Sequence, residues 1–328
     1  MARGLGWPGP PGAPIRVSAQ VPRGGPEGAA WAVVRRRAEW AIPGLQIHEE
    51  PCDPPCRFNL SVVRPSAGAI VWDMIPDQNA EAPFLGLLES LARGSRPVGP
   101  DTLSALENLV ELPAVTVYGA RWCSASAGVM ALACSLAAAD PRLSLHLVDA
   151  EAVPEEALPP ALSAVPWTVI GSGETRLFGS LKEEEALAAI RAAAEGNGGR
   201  HTLAHLLRRK KREEAGLLLA AGILSPRDAG WLASRAPDLG VRLAATLLLS
   251  ELASRDRALA GESVPPLLEG LRSTEARIRG DSAFALGEVG DPEALHALEE
   301  ALGDGDEEVR EAASEALQKI RERLALGG

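Results

Sequence analysis

Between residues 115 and 126 the chain reads VTVYGARWCSAS. The β-branched and apolar run at 115–118 predicts a buried strand. Ala-rich residues 127–139 then predict a helix, so Cys123 falls at a strand-to-helix turn. A thiol in that place meets the unpaired N–H groups and the positive end of the helix dipole. Both favour the thiolate, which is the nucleophilic form. Working outward, residues 144–148 predict a second strand ending at Asp149, and 154–161 a short helix. Residues 167–170 and 175–178 predict a hairpin around Gly171-Ser172-Gly173, and 182–194 a closing helix. Val165-Pro166-Trp167-Thr168 lies just ahead of that hairpin, with Pro166 43 residues after Cys123. A β-α-β-α-β-β-α order predicts a mixed sheet with helices on both faces.

Upstream the same order recurs in weaker form. Residues 15–19 and 45–48 predict strands around a helix at 26–41. Residues 58–63 and 69–74 predict a hairpin turning at Pro65-Ser66-Ala67-Gly68, followed by a helix at 81–92 with Phe84, Leu85, Leu88 and Leu91 along one stripe. Residues 1–14 read as a loose Pro/Gly-rich lead.

The strand, the Trp122-Cys123 turn, the helix, Val165-Pro166, the hairpin and the last helix together resemble the thioredoxin-like superfamily. With the upstream copy, residues 15–194 resemble glutaredoxin-like double-domain proteins. These are the archaeal protein disulfide oxidoreductases and the amino-terminal domain of the alkyl hydroperoxide reductase flavoprotein. The resemblance implies two tandem α/β thioredoxin-like domains, a degenerate one at 15–100 and a second at 106–194. It implies Cys123 as nucleophile, shielded by Trp122, with a cis-Pro166 against it and Val165 and Trp167 orienting a substrate chain. Two departures stand out. Ser126 occupies the place of the resolving cysteine, so a mixed disulfide has no internal exit; the serine is instead expected to donate a hydrogen bond to the thiolate. Val117 stands where thioredoxin itself holds a buried acid.

Beyond a linker at 195–200, residues 201–328 read as helical and repetitive. Val241-Arg242, Ile278-Arg279 and Val309-Arg310 open corresponding helices at offsets of 37 and 31 residues. Leu249, Leu286 and Leu317 recur at one position, and Leu252, Val289 and Ile320 at another. A shorter amphipathic helix precedes each, with Ser225-Pro226 and Asp291-Pro292 as starts. Helix pairs at this period stack into a solenoid. The stretch 278–320 resembles the HEAT-like repeats first recognised in phycobilisome lyases. That implies an all-α solenoid that binds a protein partner.

The remaining features exclude more than they add. Net charge is −11, and residues 281–323 hold thirteen acidic against four basic side chains. That field opposes nucleic acid. No apolar run is long enough to cross a membrane and no targeting signal is legible, so the cytoplasm is the expected compartment. The basic run Arg208–Arg212 reads as a solvated helix face, since Glu213-Glu214 follow at once. No cofactor motif and no metal-ligand spacing is present. Cys134 reads as a buried structural thiol. Cys52 and Cys56 form a possible second thiol pair in a Pro-rich loop, open to three readings: a local disulfide, a metal pair with His48, or inert thiols.

Three functional readings follow. The first is a monothiol redox module, exchanging disulfides or sensing redox state, brought to a protein partner by the repeats and released by glutathione or another small thiol. The second is a non-catalytic adaptor in which the thioredoxin folds only bind. The third borrows cluster ligation from monothiol glutaredoxins, whose glycine and phenylalanine are replaced here by Ser124 and Ala125.

Overall fold

The computed structural model describes residues 15–23, 25–53, 56–63 and 68–326; the lead at 1–14 and most of the expected turn at 65–68 lie outside them. The chain divides into two compact units, 1–198 and 199–328.

The first unit runs β1 (Arg16–Pro22), α1 (Gly25–Ala41), β2 (Gln46–Cys52), β3 (Asn59–Val63), β4 (Ile70–Asp73), α2 (Glu81–Arg93) and α3 (Pro100–Glu107). It continues through β5 (Val115–Gly119), α4 (Ser124–Ala139), β6 (Leu145–Asp149), β7 (Trp167–Ile170), β8 (Thr175–Phe178) and α5 (Glu183–Ala194). All eight strands join one sheet in the order β2-β1-β3-β4-β6-β5-β7-β8. Each half repeats one arrangement. A parallel pair (β1 with β2, β5 with β6) is followed by an antiparallel strand on the first member and a hairpin partner beyond it. This is the thioredoxin order, present twice. The halves meet where β4 pairs parallel with β6, Trp72 opposite Leu147.

Alternation builds the core. Val17 and Ala19, Leu60 and Val62, Ile70 and Trp72, and Val115 and Val117 point to one buried face. One apolar cluster runs from Ile15 to Ile190, so both halves share a core. Trp72 lies edge-on to Phe84 of α2 at 5.3 Å, and Trp31 of α1 lies 5.4 Å from Phe58.

Some expectations shift. The buried stripe of α2 uses Leu87 with Phe84, Leu88 and Leu91, while Leu85 lies half-buried at its border. The helix expected at 154–161 is only a 3-10 turn, Glu155–Ala157. Pro159 and Pro160 lack the N–H donors that a longer helix needs. Among the described residues no helix joins β2 to β3, and the first copy has no cysteine at the start of α1. The short helix α3 had no strong signal, since only Thr102 and Leu106 are buried on it.

Glu195-Gly196-Asn197 ends α5 by a Schellman motif. The Asn197 amide donates to the Ala192 carbonyl at 2.8 Å and Gly196 takes φ +73°, a conformation glycine tolerates without strain. A helix restarts directly at Gly198.

The second unit holds α6 (Gly198–Arg208), α7 (Arg212–Ala220), α8 (Pro226–Arg235), α9 (Leu239–Arg255), α10 (Arg257–Gly261), α11 (Val264–Leu271), α12 (Ala276–Val289), α13 (Leu295–Ala301) and α14 (Glu307–Leu326). The basic run is the break between α6 and α7, with Lys210 at φ +58°, rather than a helix face. Helices pair as α8 with α9, α11 with α12 and α13 with α14. The repeated apolar positions are buried in all three: Leu249, Leu286 and Leu317, then Leu252, Val289 and Ile320. The recurring arginine has a structural task. Arg242, Arg279 and Arg310 each donate back to the carbonyl six residues earlier, those of Ala236, Ser273 and Asp304, at 2.8–2.9 Å. They close the turn between the helices of each pair. Arg242 also meets Asp281 of the next pair at 3.0 Å, and Arg279 meets Asp304 at 2.7 Å.

Asp238 caps α9, its carboxylate accepting from the Val241 amide at 3.0 Å. Replacing it with alanine removes both that bond and a negative charge at the helix start. The expected cost is about 1 kcal/mol, seen as a lower urea midpoint with unchanged slope. An unmoved midpoint would mean that water replaces the cap at no cost.

Candidate functional site

Cys123 is the N-cap of α4, and its Sγ accepts from the Ser126 amide at 3.4 Å. The chain reaches that position in one turn, with the Cys123 amide bonded to the Ala120 carbonyl at 3.0 Å. Gly119 lets the end of β5 lie close to α4, where a Cβ would press on Ser126 and the Met130 methyl. The thiol is partly exposed. Burial alone would raise its pKa. The Ser126 hydroxyl and the amides of Ser126 and Ala125 outweigh that and hold it below the ordinary thiol value.

Ser126 is fully buried, and its Oγ also accepts from the Ala120 amide at 3.3 Å. It therefore locks the loop as well as polarising the thiol. The Val165–Pro166 peptide is cis, with Pro166 buried and Val165 half-buried. Tyr118 pairs with Trp167, so this peptide and the Cys123 loop lie at the same end of the sheet.

Trp122 is 61% exposed, with most of its ring in solvent. One expected role does not fit the geometry. Trp167 is 0% exposed and stands edge-on to Phe178 at 5.8 Å, so its ring faces the core and not a substrate.

The first copy supplies a support that no local motif announced. Arg121, two residues before the thiol, donates to Asp77 at 3.1 Å and to Asp149 at 3.1 Å. The Asn79 side chain donates to the Trp122 carbonyl at 2.7 Å, and its amide to the Arg121 carbonyl at 3.1 Å. Burial alone would lower the Arg121 pKa, but the two carboxylates outweigh it and raise it. A groove of about 490 Å³ opens from Asn79 and Ala127 and runs between α2 and α4 over Gly86 and Ala131.

The other cysteines separate cleanly. Cys134 is buried in α4, and burial pushes its thiol far up, so it cannot resolve a mixed disulfide. Cys52 and Cys56 are joined by a disulfide, which selects the first of the three readings open for that pair. Among the described residues no group of His, Cys, Asp and Glu is placed to hold a metal ion.

The helix pairs of the second unit now have a counterpart. Residues 264–326 match the family of HEAT repeats. The first unit is similar to solved structures at low identity. One is the alkylhydroperoxide reductase AhpF of Enterococcus faecalis, at 14% identity and TM-score 0.46, covering 54% of this chain and 90% of that one. Another is a protein disulfide oxidoreductase from Aeropyrum pernix, at 19% identity and TM-score 0.45, covering 56% and 87%. No curated protein matches the chain. The thioredoxin assignment rests on the strand order itself, and the HEAT assignment on the repeated helix pairs and the family match. Among the described residues no helix is long and apolar enough to cross a membrane.

Proposed function

We propose that Cys123 is the nucleophile of a monothiol disulfide-exchange module, carried to a protein partner by the HEAT array. The observation that carries this is the placement of a partly exposed Sγ at the N-cap of α4, with the Ser126 amide donating to it. The Cys123 thiolate attacks one sulfur of a substrate disulfide. It forms a mixed disulfide and expels the other sulfur as thiolate, which takes a proton from water. Ser126 cannot repeat that attack and Cys134 is out of reach of solvent, so release falls to an external thiol such as glutathione. The second unit supplies a stacked helical surface of the kind that docks proteins.

The test is alkylation of the folded chain across pH, with the modified peptide identified by mass. Among the described thiols only Cys123 is both free and accessible. Its rate should reach half-maximum below about 8.5, the free-thiol value. In Ser126→Ala the midpoint should rise, because a group favouring the thiolate is lost. A Cys123 midpoint at the free-thiol value in both proteins would remove the nucleophile and leave an adaptor.

A further inference from the structure

We propose that the Cys52–Cys56 disulfide is a second thiol-exchange centre of the chain, opened by a dithiol reductant independently of Cys123. The bond joins residues only four apart in sequence, at the end of the edge strand β2. Closing so short a loop removes little freedom from the unfolded chain, so its contribution to stability is near the bottom of the usual range. Nor does the fold depend on it to place its flanks. The Arg23 amide donates to the Cys52 carbonyl at 2.9 Å, and β1 pairs Pro22 with Cys52. The Cys56 amide donates to the Asp53 carbonyl at 3.2 Å, a contact that does not involve the sulfurs. Such a contact favours reclosure of the pair under oxidising conditions.

Access is built in. Both cysteines are only half-buried and neither belongs to the apolar core. Cys56 lines an open cavity of about 600 Å³, wide enough for a small dithiol to approach its sulfur. The reductant thiolate attacks Cys56 Sγ. A mixed disulfide forms, and Cys52 leaves as thiolate and is protonated from solvent. The second reductant thiol then attacks its own partner sulfur, releasing the reductant as a cyclic disulfide and Cys56 as a thiolate that, like Cys52, takes a proton from solvent, while the dithiol gives its two protons to solvent. Two electrons pass to the protein.

Cys52 ends β2, five positions from β5 in the sheet, about 24 Å at the usual ~4.8 Å per step. Cys56 lines the same cavity as Arg121 of the Cys123 loop, so the Cys123→Ser variant decides independence.

The experiment exposes the folded full-length chain to graded dithiothreitol, quenches with acid, blocks thiols with iodoacetamide and counts labels on the peptide holding both residues. Circular dichroism follows folding in parallel. The expected result is a gain of two labels, appearing together while the folded signal is retained, lost again on oxidised dithiothreitol, and unchanged in Cys123→Ser. Labels that appear only as the protein unfolds would mark a structural bond. A pair that, once reduced, fails to reclose would mark inert thiols. Loss of labelling in Cys123→Ser would make the pair a client of Cys123. Each of these three overturns the proposal.

Discussion

Replacing Trp72 with alanine is expected to destabilise the first unit by about 3–5 kcal/mol and to weaken both thioredoxin halves together. Trp72 is 0% exposed, lies against Phe84, and sits on β4, the strand that joins the halves. Truncation leaves a large cavity where both cores meet. One term works the other way, since the indole N–H is buried without a hydrogen-bond partner and its removal relieves a cost. The loss should therefore fall toward the lower end of the range, and Trp72→Phe should cost much less. Native-state hydrogen exchange checks the claim residue by residue. Amides of β7, distant in sequence, should lose protection alongside those of β1. Full protection of β7 in a variant that exposes β1 would show that the halves are energetically separate.

The second large effect concerns Arg121→Ala, expected to cost about 3 kcal/mol at neutral pH. Its partner Asp149 keeps only 6% of its side chain exposed. Burial already raises the Asp149 pKa, and the arginine offsets part of that rise. Without the cation the carboxylate is left buried with only a backbone partner, the Glu151 amide. Arg121 itself is 29% exposed, so water can enter and the figure sits at the low end for a broken buried pair. The sign of the pH dependence follows from the raised pKa. The folded state binds the proton more tightly than the unfolded state, whose value is about 3.9. The penalty is thus full above the folded pKa and fades as the pH falls toward the unfolded value. Urea denaturation near neutrality and in acid should show the gap between variant and parent closing in acid. A gap of constant size would mean that Asp149 is not the group left exposed to the cost. Since Arg121 also positions the loop before Cys123, the variant should slow alkylation of that thiol as well.

What the residues themselves announced follows physical range. The hairpin of β7 and β8 was legible because β-branched and aromatic residues flank Gly171 and Gly173. The end of β2 was not, because Glu49-Glu50-Pro51 has no apolar alternation and owes its extension to pairing with β1. Cys123 was legible from a strand, a turn and a helix in direct succession. The anchors of its loop were not. Asp77 and Asn79 lie over forty residues upstream, and only the meeting of the two halves brings them to Arg121. Trp167 misled because an aromatic beside the cis-proline reads as a substrate contact, whereas its ring is wholly buried. In the repeats the apolar positions gave the stacking, and the arginine beside them recurred visibly without revealing that it closes a turn.

The join between β4 and β6 also bears on how the chain avoids self-association. Two separate four-stranded sheets would present four open strand edges, each a template for pairing with a neighbouring chain. Among the described residues, merging them leaves β2 and β8 at the edges. β2 carries the charged Glu49 and Glu50 and Pro51, which has no N–H to donate, and these deter an incoming strand. The duplication thus hides half of its own adhesive borders inside one sheet.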